Sequence, residues 1–331
     1  MTGPVPDSVA LPASPPVLAP APGLFILFNP GSGRHAAEQT RAEVEAACKT
    51  AGRTCEWFEI RRGRRIEDLA ADAVRAASRA GGIAVAAGGD GTLNALAQAA
   101  LPAGCAFGVL PRGTFNYFAR THGIPQESDQ ALAALLAGRP EPVQAGWVNQ
   151  RVFLVNASLG LYARALEDRE RAKARFGRSR LVAAAAALGT LMRGFGLWHL
   201  RVQRGDQKRE FDTPTLFVGN NALQFERVGI REAEVVEDGA LAAVAMDPIG
   251  RGAMFMLLVR AAFGRLGTDS RVQSFAAVSL EVRASGRRAT SRVRVATDGE
   301  LTWMDMPLRL QVAPWPLWLM APPVEMRAER A

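Results

Sequence analysis

The chain holds few of the residues that ligate metals through nitrogen or sulfur: three histidines and three cysteines in 331 residues. His35, His122 and His199 are scattered, which argues against a histidine-based metal site or a Ser-His-Asp triad. Cys48, Cys55 and Cys105 share no metal-type spacing and cannot all pair, so they read as small buried hydrophobes of a reducing cytosol. No run reaches the ~18 consecutive apolar residues of a membrane-spanning helix, which leaves peripheral contact as the expected kind. Residues 1–23 lack both a basic start and a long apolar core. They read as a disordered Pro/Ala-rich tail and not as a signal peptide.

What is present is the composition of a globular protein, 48% hydrophobic and 22% charged, long enough for two domains. The formal charge of +8 favours anionic partners: a nucleotide, a nucleic acid or an acidic membrane surface. Charge alone does not choose among them.

From residue 24 to about 142, strand and helix signals alternate. The apolar runs at 24–28, 54–60, 83–87 and 106–110 predict strands, separated by helical stretches to about Lys49, over 66–79 and to about Ala100. Strands separated by helices imply βαβ units and a parallel sheet, with ligands beyond the carboxyl ends of the strands. After Pro140-Glu141-Pro142 the pattern changes. Two short runs flanking Asn149-Gln150 predict a hairpin, and a long helix is expected from Tyr162 to about Arg193. Strand signals follow at 197–204, 215–219, 241–246, 277–282, 292–296 and 308–312, with one helix near 252–266. This spacing predicts a β-sandwich-like second domain over 143–322 and a tail over 323–331.

Three glycine turns fall at strand ends. Gly88-Gly89-Asp90-Gly91-Thr92-Leu93-Asn94 follows the third strand. Glycines at a strand-to-helix turn let backbone N–H groups approach a phosphate, and the helix N-terminus favours negative charge. Asp90 there either caps the helix or serves a cation or a proton transfer. Asn29-Pro30-Gly31-Ser32-Gly33 ends the first strand, with Gly31 to Gly33 expected to expose N–H groups. It lacks the Gly-Lys-Ser/Thr of a P-loop but satisfies Gly-x-Gly-x-x-Ala, with Glu59 able to mimic a ribose contact; an ordinary turn explains it equally. Gly113-Thr114-Phe115-Asn116 ends the fourth strand, where Thr114 and Asn116 would face the same crevice as Asp90 and Thr92. Downstream, Asp298-Gly299-Glu300 ends an alternating strand. It reads either as a hairpin turn or as a general base oriented by a second carboxylate.

In this order the segments resemble the diacylglycerol kinase catalytic-domain family, which includes bacterial lipid kinases and sphingosine-kinase-like enzymes. Residues 29–33 match its first nucleotide loop, 88–94 its signature and 110–120 its third loop. Asn220 lies in its Val-x-Asn segment, Asp238-Gly239 in its Asp-Gly-x-Leu segment, and residues 298–300 in its terminal Asp-Gly-Glu. The resemblance implies a Rossmann-like α/β domain of the phosphofructokinase and NAD-kinase kind, a β-sandwich-like domain, and transfer of the γ-phosphate of ATP to a lipid hydroxyl in the cleft between them. It implies that Asn29, Pro30, Gly31, Ser32, Gly33, Gly88, Gly89, Asp90, Gly91, Thr92, Leu93, Asn94 and Thr114 bind ATP. Asp298 and Glu300 would activate the acceptor, with Glu300 taking the proton and Asp90 in a cation-and-water network. A Mg²⁺ site would use Asp238 and main-chain oxygens of Val235 and Ala240.

Two positions depart from the family pattern. Tyr117 replaces the third loop's aspartate, and Ile60-Arg61-Arg62 stands where an ATP-contacting threonine is expected. Arginines and a lysine over 164–180, beside apolar 181–188, form either an anionic-headgroup dock or a solvated helix face. Met254, Phe255, Met256, Leu257, Leu258 and Phe263 form either an acyl slot or core. The expected partner is therefore a lipid at the inner face of a membrane, met from the cytoplasm, with no nucleic acid; a homodimer is compatible with the sequence. An NAD-kinase-like phosphotransferase and a non-catalytic nucleotide or lipid sensor stay open as alternatives.

Overall fold

The structure, a computed structural model, describes residues 14–32, 37–176, 196–204, 207–221, 225–226, 239–250, 252–254, 256, 269–285 and 291–329. The chain divides into two units, Met1–Gln144 with Pro314–Ala331, and Ala145–Ala313. In the first unit the order is β1 (Leu24–Phe28), α1 (Ala37–Thr50), β2 (Cys55–Glu59), α2 (Ile66–Ala80), β3 (Ile83–Gly88), α3 (Asp90–Ala103), β4 (Ala106–Pro111), α4 (Tyr117–Thr121), α5 (Ser128–Ala137) and β5 (Arg139–Val143). The second unit holds β6 (Gly146–Val148), β7 (Arg151–Phe153), β8 (Asn156–Gly160), α6 (Leu161–Phe176), β9 (Trp198–Arg204), β10 (Gln207–Thr213), β11 (Thr215–Gly219), β12 (Leu241–Met246), β13 (Val272–Ala277), β14 (Ser279–Ser285), β15 (Arg292–Thr297), β16 (Glu300–Asp305) and β17 (Leu308–Val312). The chain then returns to the first unit as β18 (Leu317–Ala321).

The first unit is an α/β domain whose sheet runs β2-β1-β3-β4-β18-β5. Every pairing from β2 to β18 is parallel, and β5 closes the edge antiparallel to β18. β1, β3 and β4 are buried along their whole length, which explains why they read as unbroken apolar runs. Leu24, Ile26 and Phe28 share a core with Val44 and Cys48 of α1 and Leu132 and Leu135 of α5. Because side chains alternate along a strand, the opposite face of the sheet meets α2 and α3. α2 buries Leu69, Ala70, Ala73, Val74 and Ala77, one stripe at helical spacing, and stops at Gly81 in the left-handed conformation.

The second unit is a β-sandwich. Its two sheets are ordered β10-β9-β14-β17-β6-β7 and β13-β12-β11-β8-β15-β16. One core joins them, with Phe153, Leu200, Val282 and Leu310 from the first sheet and Leu159, Leu216, Leu241 and Val295 from the second.

Two expectations are corrected. The second domain was expected to run to residue 322, but Leu317–Ala321 is an inner strand of the first sheet, entirely buried. Strand content alone does not say which sheet a strand joins. Part of the expected disordered tail is placed: Ala19 donates its N–H to Gly81 O at 2.9 Å and Leu18 packs on the first core, while residues 1–13 lie outside the described residues. β10, β13 and β16 had no sequence signal of their own, as their polar faces break the apolar pattern. The expected helix over 162–193 is described as α6 through Phe176, and most of the 252–266 helix lies outside the described residues.

Candidate functional site

The three glycine turns sit at the carboxyl ends of neighbouring parallel strands, β1, β3 and β4. At the first, Asn29 extends the sheet by donating its N–H to Ala87 O at 3.1 Å. Its Oδ1 then accepts the Gly31 N–H at 3.0 Å, and its carbonyl accepts Ser32 N–H at 3.2 Å and Ser32 Oγ at 2.9 Å. The loop is curled on Asn29. This corrects the expectation that Gly31 and Ser32 offer their N–H groups outward: both donate inside the turn, and Pro30 has none to offer. Gly33 lies outside the described residues.

At the second turn, Gly89 caps α3, and its carbonyl accepts the N–H groups of Thr92 at 2.9 Å and Leu93 at 3.1 Å. Asp90 is the first residue of this helix, where the helix dipole favours a carboxylate. A Cβ on Gly88 would lie 2.6 Å from Thr92 Cβ, so the glycine makes room for Thr92 to fold back under the strand end. Thr92, Leu93 and Asn94 are all buried, leaving Gly89, Asp90 and Gly91 as the residues the turn presents. The Thr92 side chain lies against Gly88.

The third turn packs against the second. Arg112 donates its backbone N–H to Gly88 O at 2.8 Å, and a Cβ on Gly113 would lie 2.8 Å from Gly89 Cα. Backbone here meets backbone. Asn116, with φ at 49°, accepts the Gly113 N–H at 2.9 Å and donates to Gly113 O at 3.0 Å and Gln126 Oε1 at 2.9 Å. It is a turn clasp, buried, and not a crevice-facing group as expected. Thr114 is exposed, as a ligand contact requires. Tyr117 stacks on the half-exposed Phe115, with ring centroids 5.7 Å apart and planes within 5°.

Beside the first turn, Glu59 is gripped by Arg41 at 2.7 Å and Arg61 at 3.0 Å. The Arg61 hydrogen bond foremost holds its carboxyl below the usual range. Arg41 also lies over the Trp57 ring at 4.7 Å. A carboxylate engaged in this way is a poor match for the ribose contact of a dinucleotide site.

In the second unit, Asp298 and Gly299 form the two-residue turn between β15 and β16, both with positive φ, and Thr297 pairs with Glu300 across it. The hairpin reading of Asp-Gly holds. Yet the Asp298 carboxylate does more than turn a corner. It accepts the N–H groups of Leu154 at 2.7 Å, Val155 at 2.8 Å and Asn156 at 3.0 Å, while its own N–H donates to Asn156 O at 2.9 Å. Asn220 grips the same segment from the other side, donating Nδ2 to Leu154 O at 3.1 Å and N–H to Val155 O at 2.8 Å. Glu300 is exposed beside the turn of the hairpin.

Of the Mg²⁺ set, Val235 and Asp238 lie outside the described residues, and Ala240 is half-buried before β12. Among the described residues no group of three His, Cys, Asp or Glu side chains is placed to hold a metal ion. The basic stretch beyond Phe176 and most of the apolar 254–263 set also lie outside the described residues. No described helix is long and apolar enough to cross a membrane. Trp318 is packed in β18, and the half-exposed Trp303 lies under Arg294 at 5.0 Å. Sequence reasoning placed Arg112 within the third loop but gave it no role, and it missed the clasped 154–156 segment, which resembles no motif in isolation.

Two family descriptions match the chain: diacylglycerol kinase catalytic domain over residues 23–148, and YegS C-terminal NAD kinase beta sandwich-like domain over residues 156–321. A Klebsiella pneumoniae protein named "Probable lipid kinase YegS-like" is 38% identical over 97 residues, covering 28% of this chain and 33% of its own. A Staphylococcus saprophyticus protein named diacylglycerol kinase is 29% identical over 137 residues, covering 41% of this chain and 44% of its own. The chain thus spans under half the length of these two curated relatives. A crystal structure described as a diacylglycerol kinase from Bacillus anthracis superposes with a TM-score of 0.64 at 16% identity, over 91% of this chain and 97% of that one. At that identity the likeness speaks for the fold.

Proposed function

Since the chain belongs to the diacylglycerol kinase catalytic-domain family and carries that family's YegS-type second domain, we propose that it transfers the γ-phosphate of ATP to the hydroxyl of a lipid. The observation that carries this reading is the division of labour in Asp298-Gly299-Glu300. Asp298 is spent on three backbone N–H groups, while Glu300 is exposed beside it. Asp298 is then a positioning residue and Glu300 the proton acceptor, a narrower assignment than the paired roles the resemblance implies.

The first unit supplies the donor side. Gly89, Asp90, Gly91 and the exposed Thr114 border two turns whose backbones touch, which suits a phosphate chain held by close main-chain approach. In the transfer, the acceptor oxygen forms a bond to the γ-phosphorus as the bond to the bridging oxygen of ADP breaks. Glu300 takes the hydroxyl proton. Phosphoryl transfer needs positioning and charge neutralisation more than covalent catalysis, so this equipment suffices. A Mg²⁺ ion held through Val235, Asp238 and Ala240 would neutralise phosphate charge when bound. The acceptor class is diacylglycerol, ceramide, a sphingoid base or another lipid alcohol, met by peripheral contact at a membrane surface.

The test is transfer of label from γ-labelled ATP to a lipid panel, with Glu300→Ala beside the parent protein. Label in a lipid fraction that the variant fails to produce supports the proposal. Label in NAD instead assigns an NAD-kinase-like activity. Nucleotide binding without transfer to any acceptor makes the protein a sensor.

A further inference from the structure

Arg112 touches all three glycine turns. Its backbone N–H donates to Gly88 O at 2.8 Å in the second turn, and it is itself the residue before Gly113 in the third. Its side chain reaches the first: Nε donates to Ser32 O at 3.1 Å and Nη2 to the same oxygen at 2.9 Å. Nη1 donates to the hydroxyl of Thr40 in the first turn of α1. The guanidinium lies over the Phe28 ring at 5.5 Å, and the residue is only 7% exposed. One planar fork thus holds the end of the β1 loop and the start of the helix that follows it.

Burying an arginine is costly, and here burial lowers its pKa without discharging it. A fold needing only a packed side chain at this strand end would be served by leucine or methionine. A forked cation donating twice to one loop carbonyl instead fixes the direction of that peptide and holds positive charge beneath the loop.

We infer that Arg112 is a positioning residue for the nucleotide donor, setting the conformation of the 29–32 loop through Ser32 and tying it to the turns at Gly88 and Gly113. This rests on the kinase reading and on the resemblance's assignment of residues 29–33 to ATP; because Gly31 and Ser32 use their N–H groups inside the turn, the loop would meet the donor through its shape and not through those donors. Arg112 does not itself touch the donor; it acts through Ser32.

The test compares the parent protein with Arg112→Lys and Thr40→Val, using calorimetric ATP binding, KM for ATP against kcat, and thermal melting. A lysine keeps the charge but lacks the planar fork that donates twice to Ser32 O and once to the Thr40 hydroxyl. It should weaken ATP binding about tenfold, the scale of one hydrogen bond to a charged group, with kcat and the melting curve near parental values. Thr40→Val removes one acceptor only and should weaken binding less. Unchanged ATP affinity in both variants overturns the inference, as does a fall in kcat with KM unchanged. If the parent protein binds no ATP, the kinase reading fails first. If Arg112→Lys melts early, Thr40→Val decides: weaker ATP binding by a well-folded variant upholds the inference, and parental binding overturns it.

Discussion

Asp298 Oδ1 accepts the backbone N–H of Val155 at 2.8 Å, joining the tip of the β15–β16 hairpin to a segment 143 residues earlier in the chain. The same carboxylate takes the N–H groups of Leu154 and Asn156. With Asn220 accounting for the carbonyls of Leu154 and Val155, the 154–156 backbone is held from both sides. Two widely separated motif residues, each a weak signal alone, therefore have one structural purpose.

This arrangement separates stability from chemistry. Asp298→Ala leaves three backbone N–H groups without their acceptor and should cost on the order of 3 kcal/mol, read by chemical denaturation. Glu300→Gln, at an exposed position, should change stability by less than about 0.5 kcal/mol while slowing lipid phosphorylation by about 10²–10⁴-fold, the usual range for a lost general base. A stable Asp298→Ala protein would remove the positioning role. A fully active Glu300→Gln would remove the base.

Gly113→Ala tests the contact between the second and third turns. The added methyl would lie 2.8 Å from Gly89 Cα and 2.6 Å from Asn116 Oδ1, and a backbone atom cannot swing aside as a side chain can. A loss of about 1–3 kcal/mol is expected, together with weaker ATP binding. Gly52→Ala, with positive φ but open surroundings, is the control. It should show backbone strain of about 1 kcal/mol and parental ATP binding.

Cys48 predicts a decline of stability at alkaline pH. Burial first, then the neighbouring Cys55, pushes its thiol from 9.0 up to about 11. In the unfolded chain the thiol ionises at its ordinary value while the native thiol stays neutral. Its contribution is therefore complete below pH 9 and is lost as pH rises towards about 11. Denaturation curves at intervals across that window should show a shallower decline in Cys48→Ala than in the parent. Identical slopes would refute the assignment.

A chain ending at Ala313 tests the strand order of the first sheet. It removes β18, which lies between β4 and β5, along with the Arg327–Glu141 ion pair at 2.9 Å. The α/β unit should then fail to fold, seen as rapid proteolysis within residues 14–144 and loss of ATP binding. Resistance equal to the full chain would show that β18 is dispensable.

The α/β character of the first half was legible from sequence because β1, β3 and β4 are buried on both faces and α2 presents one apolar stripe; burial writes itself into such patterns. The glycine turns and the Asp-Gly hairpin were equally legible, since few residues tolerate those conformations or close approaches. Hydrophobic pattern says that a strand is buried but not beside what, so the return of β18 to the first sheet was decided only in three dimensions. The same holds for polar side chains. Thr92 and Asn116 have the chemistry of ligand contacts and are instead turned inward, one under Gly88 and the other onto Gly113 and Gln126. Asp298 has the chemistry of a base and is spent on the Leu154, Val155 and Asn156 N–H groups, and Arg112, given no role within the third loop, reaches Ser32. Residue type states what a group can bond. Only the fold brings donor and acceptor within 3 Å, and that distance separates positioning residues from those left to face a ligand.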